Sequence, residues 1–560
     1  MVHCVVEELA NQGIDTYFLV TGGAIAPFVD AVGTSSRAKY YCFQHEQAAA
    51  MAAEGYYRAS GKVGAVLVTS GPGVQNIVNG LCGCWYDSIP CLFITGQVSS
   101  KESLDTIYSR PRQVGFQEMP VIEMVKPFTK YAHKIKDLDE VPVIFSLALS
   151  EMNSGRKGPV VVDFPVNLQM ELKNQKEIKF NVASLPPYTF EVSDDVRNMI
   201  SCAQRPLVVL GNGARDTDIA DWLNVPFVTS WAAIDMVSHD HHFRVGAHGV
   251  YGERVANYAV QNADLLVILG SRLDTRQTGG NLKLFSRESK KIMVDIDMNE
   301  IRKLEERGVP IDAVLVGTVA QFIKEVKMEP RPEWEAKISE WKQEFGIESP
   351  REGNVYSFLG GLKLPDECII VPDQGGNMVW TMQSLRLNGK QKLFTNLGNS
   401  SMGWALPAAI GAAIGTKNRV PIVCIEGDGG IQMNIQELRT LAHYNLSVIV
   451  IVLNNQGYGI IRQFQDSYFG SRYVATTADE VAGINFLKIA EAYGLPALRT
   501  ENVSLLYGPI LYDVPIDPKQ KIIPKLEFGN ALENMTPYKT ELHKHMIITP
   551  VPPNVVEGWK

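Results

Sequence analysis

The chain has 560 residues, which at roughly 150 residues per domain gives a prior of three or four domains. Its 53 Lys and Arg stand against 61 Asp and Glu, a formal charge of -8, and no basic block is present to track a phosphate backbone, so nucleic acid is excluded as a partner. A hydrophobic fraction of 45% with 20% charged residues is ordinary for globular proteins, and apolar runs such as 448–453 are far shorter than the ~20 residues of a spanning helix, which excludes a membrane protein.

The N-terminus, Met1-Val2-His3-Cys4-Val5-Val6-Glu7-Glu8, carries acid where a secretory signal would carry its apolar core, so a cytoplasmic protein is expected. Phe43-Gln44-His45-Glu46-Gln47 leads into a helix of small residues, Ala50-Met51-Ala52-Ala53-Glu54-Gly55. Strand 65–68 ends in Thr69-Ser70-Gly71-Pro72-Gly73-Val74-Gln75-Asn76, and a later strand ends in Ile94-Thr95-Gly96-Gln97. Of the eight cysteines, Cys82 and Cys84 form the one close pair, and they read as small packing residues. A charged stretch with Ser184-Leu185-Pro186-Pro187 marks a linker. Strands 207–210 and 265–269 end in Gly211-Asn212-Gly213-Ala214-Arg215 and in Gly270-Ser271-Arg272-Leu273-Asp274-Thr275-Arg276. By themselves such glycine turns fit a structural role better than a phosphate site. His239-Asp240-His241-His242 reads as a solvated loop rather than a metal site. Pro330 and Pro332 mark a second linker before a charged helix beginning near Glu333, and further apolar strands follow at 369–371, 422–425 and 448–453.

Continuously apolar strands alternating with helices imply parallel sheets covered on both faces. The class is therefore α/β, with three doubly wound parallel-sheet domains: 1–172, 186–328 and 350–540, followed by a tail, 541–560.

The strongest chemical signal is Glu426-Gly427-Asp428-Gly429-Gly430 after strand 422–425, then a helix expected from about Asn434, then strand 448–453 closed by Asn454-Asn455-Gln456-Gly457. Ligands of parallel sheets bind beyond the carboxyl ends of strands. Asp428 offers an anionic oxygen there, Asn455 a neutral one and Gly457 a main-chain carbonyl, a set suited to Mg²⁺ completed by phosphate oxygens and water. Gly427, Gly429 and Gly430 leave room for a diphosphate near the following helix.

This GDG…NN arrangement resembles the signature of thiamine-diphosphate enzymes. The segments 43–49, 68–76, 94–97, 396–403 and 430–438 are similar to the acetolactate synthase-like branch, and the resemblance covers nearly the whole chain. It implies a pyrimidine-binding first domain, a central flavin or nucleotide-type domain and a diphosphate-binding third domain, assembled as a homodimer or tetramer. The activity implied is a carboligation: a 2-oxo acid, pyruvate in this branch, is decarboxylated and its two-carbon unit joined to a carbonyl acceptor. The runner-up is acetyl transfer to a keto-sugar or aldehyde, or a simple 2-oxo acid decarboxylase or oxidase. Glu46 matches the glutamate that activates the cofactor pyrimidine, Gln97 a residue on the substrate side and Phe464 the acceptor pocket. Gly71, Pro72, Gly73, Asn76, Gln374 and Met402 match the cofactor surroundings, and His45 fits a structural role as well as a substrate contact. Arg156, Gly213, Arg272 and Arg276 match segments that hold FAD without net redox chemistry.

Two features depart from the branch. Phe464 stands where acetolactate synthases carry tryptophan, and 503–507 is too short for the usual helix, which would leave one face of the third sheet bare or open to a partner. The run after Arg215 is also short for its domain.

Overall fold

The computed structural model describes residues 1–109, 111–171, 177–183, 188–345, 353–481, 483–505 and 508–554. The apolar runs form three six-stranded sheets, parallel throughout, as continuous burial of each run on both faces requires. The first contains β1 (Thr16–Leu19), β2 (Lys39–Cys42), β3 (Ala65–Val68), β4 (Leu92–Gln97), β5 (Tyr131–Lys134) and β6 (Val160–Pro165), in the order β2-β1-β3-β4-β6-β5. The second contains β7 (Pro206–Leu210), β8 (Phe227–Thr229), β9 (Arg244–Ala247), β10 (Leu265–Leu269), β11 (Lys290–Asp295) and β12 (Ala313–Val316), ordered β12-β11-β10-β7-β8-β9. The third contains β13 (Ile369–Pro372), β14 (Lys392–Leu393), β15 (Ile422–Gly427), β16 (Val448–Asn454), β17 (Ala497–Arg499) and β18 (Ile510–Pro515), ordered β14-β13-β15-β16-β18-β17. The first and third sheets thus share one topology, whereas the second has the dinucleotide-fold order, reversing between β7 and β10.

The helix after the second strand of the first sheet, Glu46–Ser60, crosses the helix Ala405–Thr416 that follows the second strand of the third. The crossing is close because both helices are bare there: a methyl at Gly55 would lie 2.1 Å from the Ala408 carbonyl oxygen, and one at Gly411 1.9 Å from that of Ala52. One continuous core, from Phe18 and Met51 to Trp404, Ile410 and Val450, runs through this contact.

Packing moves several expected boundaries. Residues 177–183, expected in the first linker, lie against the first domain, where Phe180 stacks on Phe145 at 5.3 Å; Lys176 and residues 184–187 lie outside the described residues. The expected charged helix is Pro332–Phe345, and it belongs to the middle domain, burying Trp334, Ile338, Trp341 and Phe345 there. The end of the chain returns to the same core through Leu526, Leu532, Met535 and Leu542, so the third domain ends in packing near β18 rather than at 540. Between Arg215 and β8 only a short 3-10 turn, Ala220–Trp222, is present, as the shortness of that run implies. At 503–505 the third sheet is not bare: Leu505 is buried beside Tyr512, although Leu498 on edge strand β17 is 53% exposed. Residues 506–507 lie outside the described residues. Among the described residues no helix is long and apolar enough to cross a membrane.

Candidate active site

Gly427 pairs with Leu453 in the β15–β16 register, so the turns leaving both strands start side by side. Asp428 and Asn455 are buried within them, and Gly457 N–H donates to Asp428 Oδ2 at 2.8 Å. The Asn455 side-chain amide, its nitrogen donating, lies 3.1 Å from Asp428 Oδ1 and 2.7 Å from the Gly457 carbonyl oxygen. Turned about, the same amide would present its oxygen beside the other two, as a cation lying among them requires. Neighbouring ligands of an octahedral Mg²⁺ with bonds of 2.0–2.1 Å stand about 2.9 Å apart, so the donor set fits that ion. Burial pushes the Asp428 carboxyl up to about 6, against main-chain N–H groups that favour its charged form. Among the described residues no three His, Cys, Asp or Glu converge; one carboxylate with neutral oxygens leaves a divalent ion needing anionic ligands from elsewhere.

The glycines of this turn serve the protein's own packing. A methyl on Gly429 would meet the Tyr458 ring at 2.2 Å, and one on Gly430 the Asp373 carboxylate at 2.2 Å. Asp373 accepts from the Gly403 and Trp404 N–H groups at 2.9 and 2.8 Å, which fixes the loop bearing Met402. Gln374, expected on the cofactor, donates to Thr395 Oγ1 and the Asn396 carbonyl and accepts from Ser400 Oγ, so its amide braces the same loop. The helix expected from Asn434 begins at Leu438, because two 3-10 turns occupy Ile431–Met433 and Ile435–Glu437.

On the first domain, Glu46 opens helix Glu46–Ser60, and His45 caps it with Nδ1 accepting from the Gln47 N–H, so the structural reading of His45 is the observed one. Asn76 donates to Glu46 Oε2 at 2.9 Å. Gly73, after Gly71 (φ 60) and the exposed Pro72, packs on Thr69: a methyl there would sit 3.1 Å from Thr69 Cγ2 and in ordinary contact, at 3.7 Å, with Glu46 Oε1. Gln97 is 1% exposed and turned inward: it donates to Asp163 Oδ2 and the Met119 carbonyl, and accepts from the Val98 N–H. Both of its amide protons are taken, and only its oxygen keeps an acceptor site.

Several structural contributors escaped the sequence reading. Buried Glu54 pairs with Arg58 and accepts from the Trp404 indole at 2.8 Å; Arg58 also pairs with Asp87, which accepts from the Leu397 and Gly398 N–H groups. Asn79 binds Gln47, Asn399 and Ser401. Together they clamp the first domain onto the Met402 loop. The one local signal was Glu54 with Arg58 four residues on, a charged pair in an alanine-rich helix.

In the middle domain, Gly211, Gly213 and Gly270 pack backbone to backbone, a methyl on Gly213 meeting Gly270 Cα at 2.8 Å. Arg156 is engaged across the domain boundary with Asp297 and Glu300 at 3.0 and 2.7 Å, and Arg272 donates to the Tyr86 carbonyl. Arg276 holds Ser400 through Nη2 at 3.0 Å, while its Nη1 is buried without a partner, as are His248 Nε2 and Ser230 Oγ. These three residues line one cavity between the middle domain and Leu397. In the loop expected to be solvated, Asp240 and His242 are exposed, but His239 is half-buried: its Nδ1 accepts from the Leu387 N–H, and burial lowers its pKa to about 3. Cys82 and Cys84 are buried and free, as expected of packing residues.

Phe464 lies on helix Gly459–Tyr468, 37% exposed, in an aromatic cluster with Tyr468, Phe469 and Phe528.

Comparison with known proteins matches this geometry domain by domain. The N-terminal, central and C-terminal domain models of thiamine pyrophosphate enzymes match residues 1–124, 193–326 and 373–507. The chain belongs to that family, on its acetolactate synthase-like branch. It is 33% identical over 95% of its length to the acetolactate synthase isozyme 1 large subunit of Escherichia coli K12, covering 96% of that protein. It is 32% identical to the large subunit from Pyropia yezoensis, over 94% of each chain. With the isozyme 2 large subunit of Escherichia coli K12 it shares 32% identity over 95% of this chain and 98% of the other. The three-domain α/β architecture and the thiamine-diphosphate enzyme class expected from the sequence are thereby established.

Proposed function

We propose that this chain decarboxylates pyruvate and joins the two-carbon unit to a second carbonyl compound, pyruvate itself being the leading acceptor. The observation that carries the reading is the convergence of the Asp428 carboxylate, the Asn455 amide and the Gly457 carbonyl at the ends of β15 and β16. These residues would hold Mg²⁺ against the diphosphate, and Met402 would support the cofactor from below. Thiamine diphosphate bound there supplies a nucleophilic carbon and an electron sink for loss of CO₂. Glu46, steadied by Asn76, exchanges a proton with the pyrimidine ring nitrogen. Ile460, Ile461 and Phe464 line the acceptor side, and Arg276, read there too, would reach it only where no flavin takes its Nη1.

The assembly proposed is a homodimer at least, with Glu46 and Asp428 of one site drawn from different chains. Large apolar side chains left in solvent support it: Phe116 is 84% exposed on the first domain, and Ile461 and Phe528 are 46% and 65% exposed beside Phe464. FAD is proposed for the middle domain, at the strand-order reversal between β7 and β10. Gly213, Arg272 and Arg276 border that crevice, and the free Arg276, His248 and Ser230 atoms offer it polar partners. Arg156 is engaged by Asp297 and Glu300, and the stacked Trp231 and Tyr251 rings line the same cavity.

Product analysis tests the activity: pyruvate with Mg²⁺ and thiamine diphosphate should yield acetolactate, whereas acetaldehyde, acetate with peroxide, or turnover only with a keto-sugar acceptor would refute it. Mixed Glu46→Gln and Asp428→Ala proteins should regain activity on subunit exchange. A colourless protein that takes up no added FAD would remove the flavin.

A further inference from the structure

We propose that Glu437 positions Glu46: a third-domain carboxylate holds, within the same chain, the main-chain segment that presents the first domain's Glu46 to the cofactor. This rests on the proton-exchange role given to Glu46 above. Strand β2 is the edge of the first sheet and is largely exposed, so the chain leaving it finds few partners in its own domain. The third domain supplies them. Glu437 Oε1 accepts from the Gln44 N–H at 3.0 Å and from the His45 N–H at 3.1 Å; its Oε2 lies 3.3 Å from the Gln44 nitrogen and accepts from Thr440 Oγ1 at 2.6 Å. Farther along the same segment, Tyr444 Oη accepts from the Cys42 N–H at 2.9 Å, and its ring packs on Tyr41.

His45 is the helix cap and Glu46 the first helical residue, so the two N–H groups taken by Glu437 are those just before the carboxyl they aim. Glu437 is fully buried, 0% exposed. A carboxylate can satisfy both main-chain donors and the Thr440 hydroxyl together, and its loss would leave those N–H groups seeking water. The residue after Glu46, Gln47, donates its side-chain amide to Asn434 of the same third-domain turn, so the helix start is fixed at two points.

The experiment uses the full-length protein loaded with Mg²⁺ and thiamine diphosphate and reads three quantities: hydrogen–deuterium exchange of the Gln44 and His45 amides, the cofactor-induced rise in melting temperature, and exchange of the cofactor C2 proton by NMR. In Glu437→Ala the two amides should exchange faster, and C2–H exchange should slow about 10-fold or more. The thermal shift should persist, because Asp428, Asn455 and Gly457 are untouched. Glu437→Gln keeps one oxygen within reach of both N–H groups and should recover most of the rate. If the alanine protein does not fold, Glu437→Asp, which keeps the charge but not the reach, replaces it and should slow C2–H exchange as well. C2–H exchange at the wild-type rate in the variant tested, with Glu46→Gln slowed, overturns the inference while leaving Glu46 in place. An unchanged rate in Glu46→Gln overturns the reading of Glu46 itself, and this inference with it.

Discussion

The substitution Gly55→Ala tests whether the crossing of helices Glu46–Ser60 and Ala405–Thr416 places the catalytic elements. Helix propensity favours alanine over glycine by about 1 kcal/mol in a helix interior, so on local grounds the variant should be more stable. The added methyl would stand 2.1 Å from the Ala408 carbonyl oxygen and 2.6 Å from its carbonyl carbon. These are backbone atoms of a packed helix rather than the end of a flexible side chain, so the helices must separate by roughly 1 Å to restore ordinary contact. Overpacking of that kind costs about 1–3 kcal/mol, and rigid neighbours place it near the upper end; the net expectation is a loss of about 2 kcal/mol. Glu46 rides on the displaced helix and Met402 sits just before the other, and a misplacement of about 1 Å can cost about 10²-fold in rate. Thermal denaturation and acetolactate assays, run beside Gly360→Ala, separate these terms, because a methyl at Gly360 meets nothing within 4 Å. A Gly55→Ala protein as stable and as active as wild type would refute the reasoning.

Removing the metal-site charge with Asp428→Asn should abolish the melting-temperature rise that Mg²⁺ and thiamine diphosphate produce together, as differential scanning calorimetry would show. Asp163, fully buried with Thr95 and Gln97 donating to it, has its pKa raised by burial from 3.8 to about 7. The native chain therefore keeps a proton that the unfolded chain releases, so stability should fall as pH rises from about 4 to 7, by up to about 4 kcal/mol. Asp163→Asn should flatten that slope in denaturation curves taken across the range. Phe464→Trp should shift acceptor choice toward 2-oxobutyrate by about 1–3 kcal/mol in a competition assay, since it restores apolar area and an N–H donor.

The sequence made the central strands legible and the edges obscure, for one physical reason. Inner strands of parallel sheets need apolar side chains on both faces, and the runs at 265–269 and 448–453 show that need directly. Edge strands such as β2, Lys-Tyr-Tyr-Cys, and β5, Tyr-Ala-His-Lys, face solvent or a neighbouring domain and carry no such pattern. The meeting of Asp428 and Asn455 was legible because a single βαβ unit fixes the spacing between them. Glu437, Asn79 and the Asp87–Arg58–Glu54 chain were not, because each acts on residues more than 300 positions away that meet it only when the domains dock. The return of 525–548 to the middle domain was hidden likewise: Leu526, Leu532 and Met535 are isolated apolar residues whose partners lie far back in the chain.

The shared strand order of the first and third sheets gives the site an internal logic. In each domain the third strand occupies the same place beside the first and ends in a glycine-rich turn: β3 in Gly71-Pro72-Gly73, β15 in Asp428-Gly429-Gly430. In each, the helix after the second strand enters the crossing, so residues at equivalent places approach one another through Gly55 and Gly411. The two copies have divided the chemistry. The third domain keeps an acid in its turn, where a diphosphate and Mg²⁺ would sit, and a bare main chain at its crossing helix. The first has no acid in its turn and puts one, Glu46, at the start of its crossing helix. A cofactor with a charged diphosphate at one end and a basic heterocycle at the other would match such a pair, the first domain of one chain facing the third of another as proposed above, because each domain offers the acid the other lacks. The match depends on the first-domain helix being aimed from outside its own domain, since the edge strand that precedes it cannot hold it, and Glu437 is the third-domain group that reaches the two amides in question.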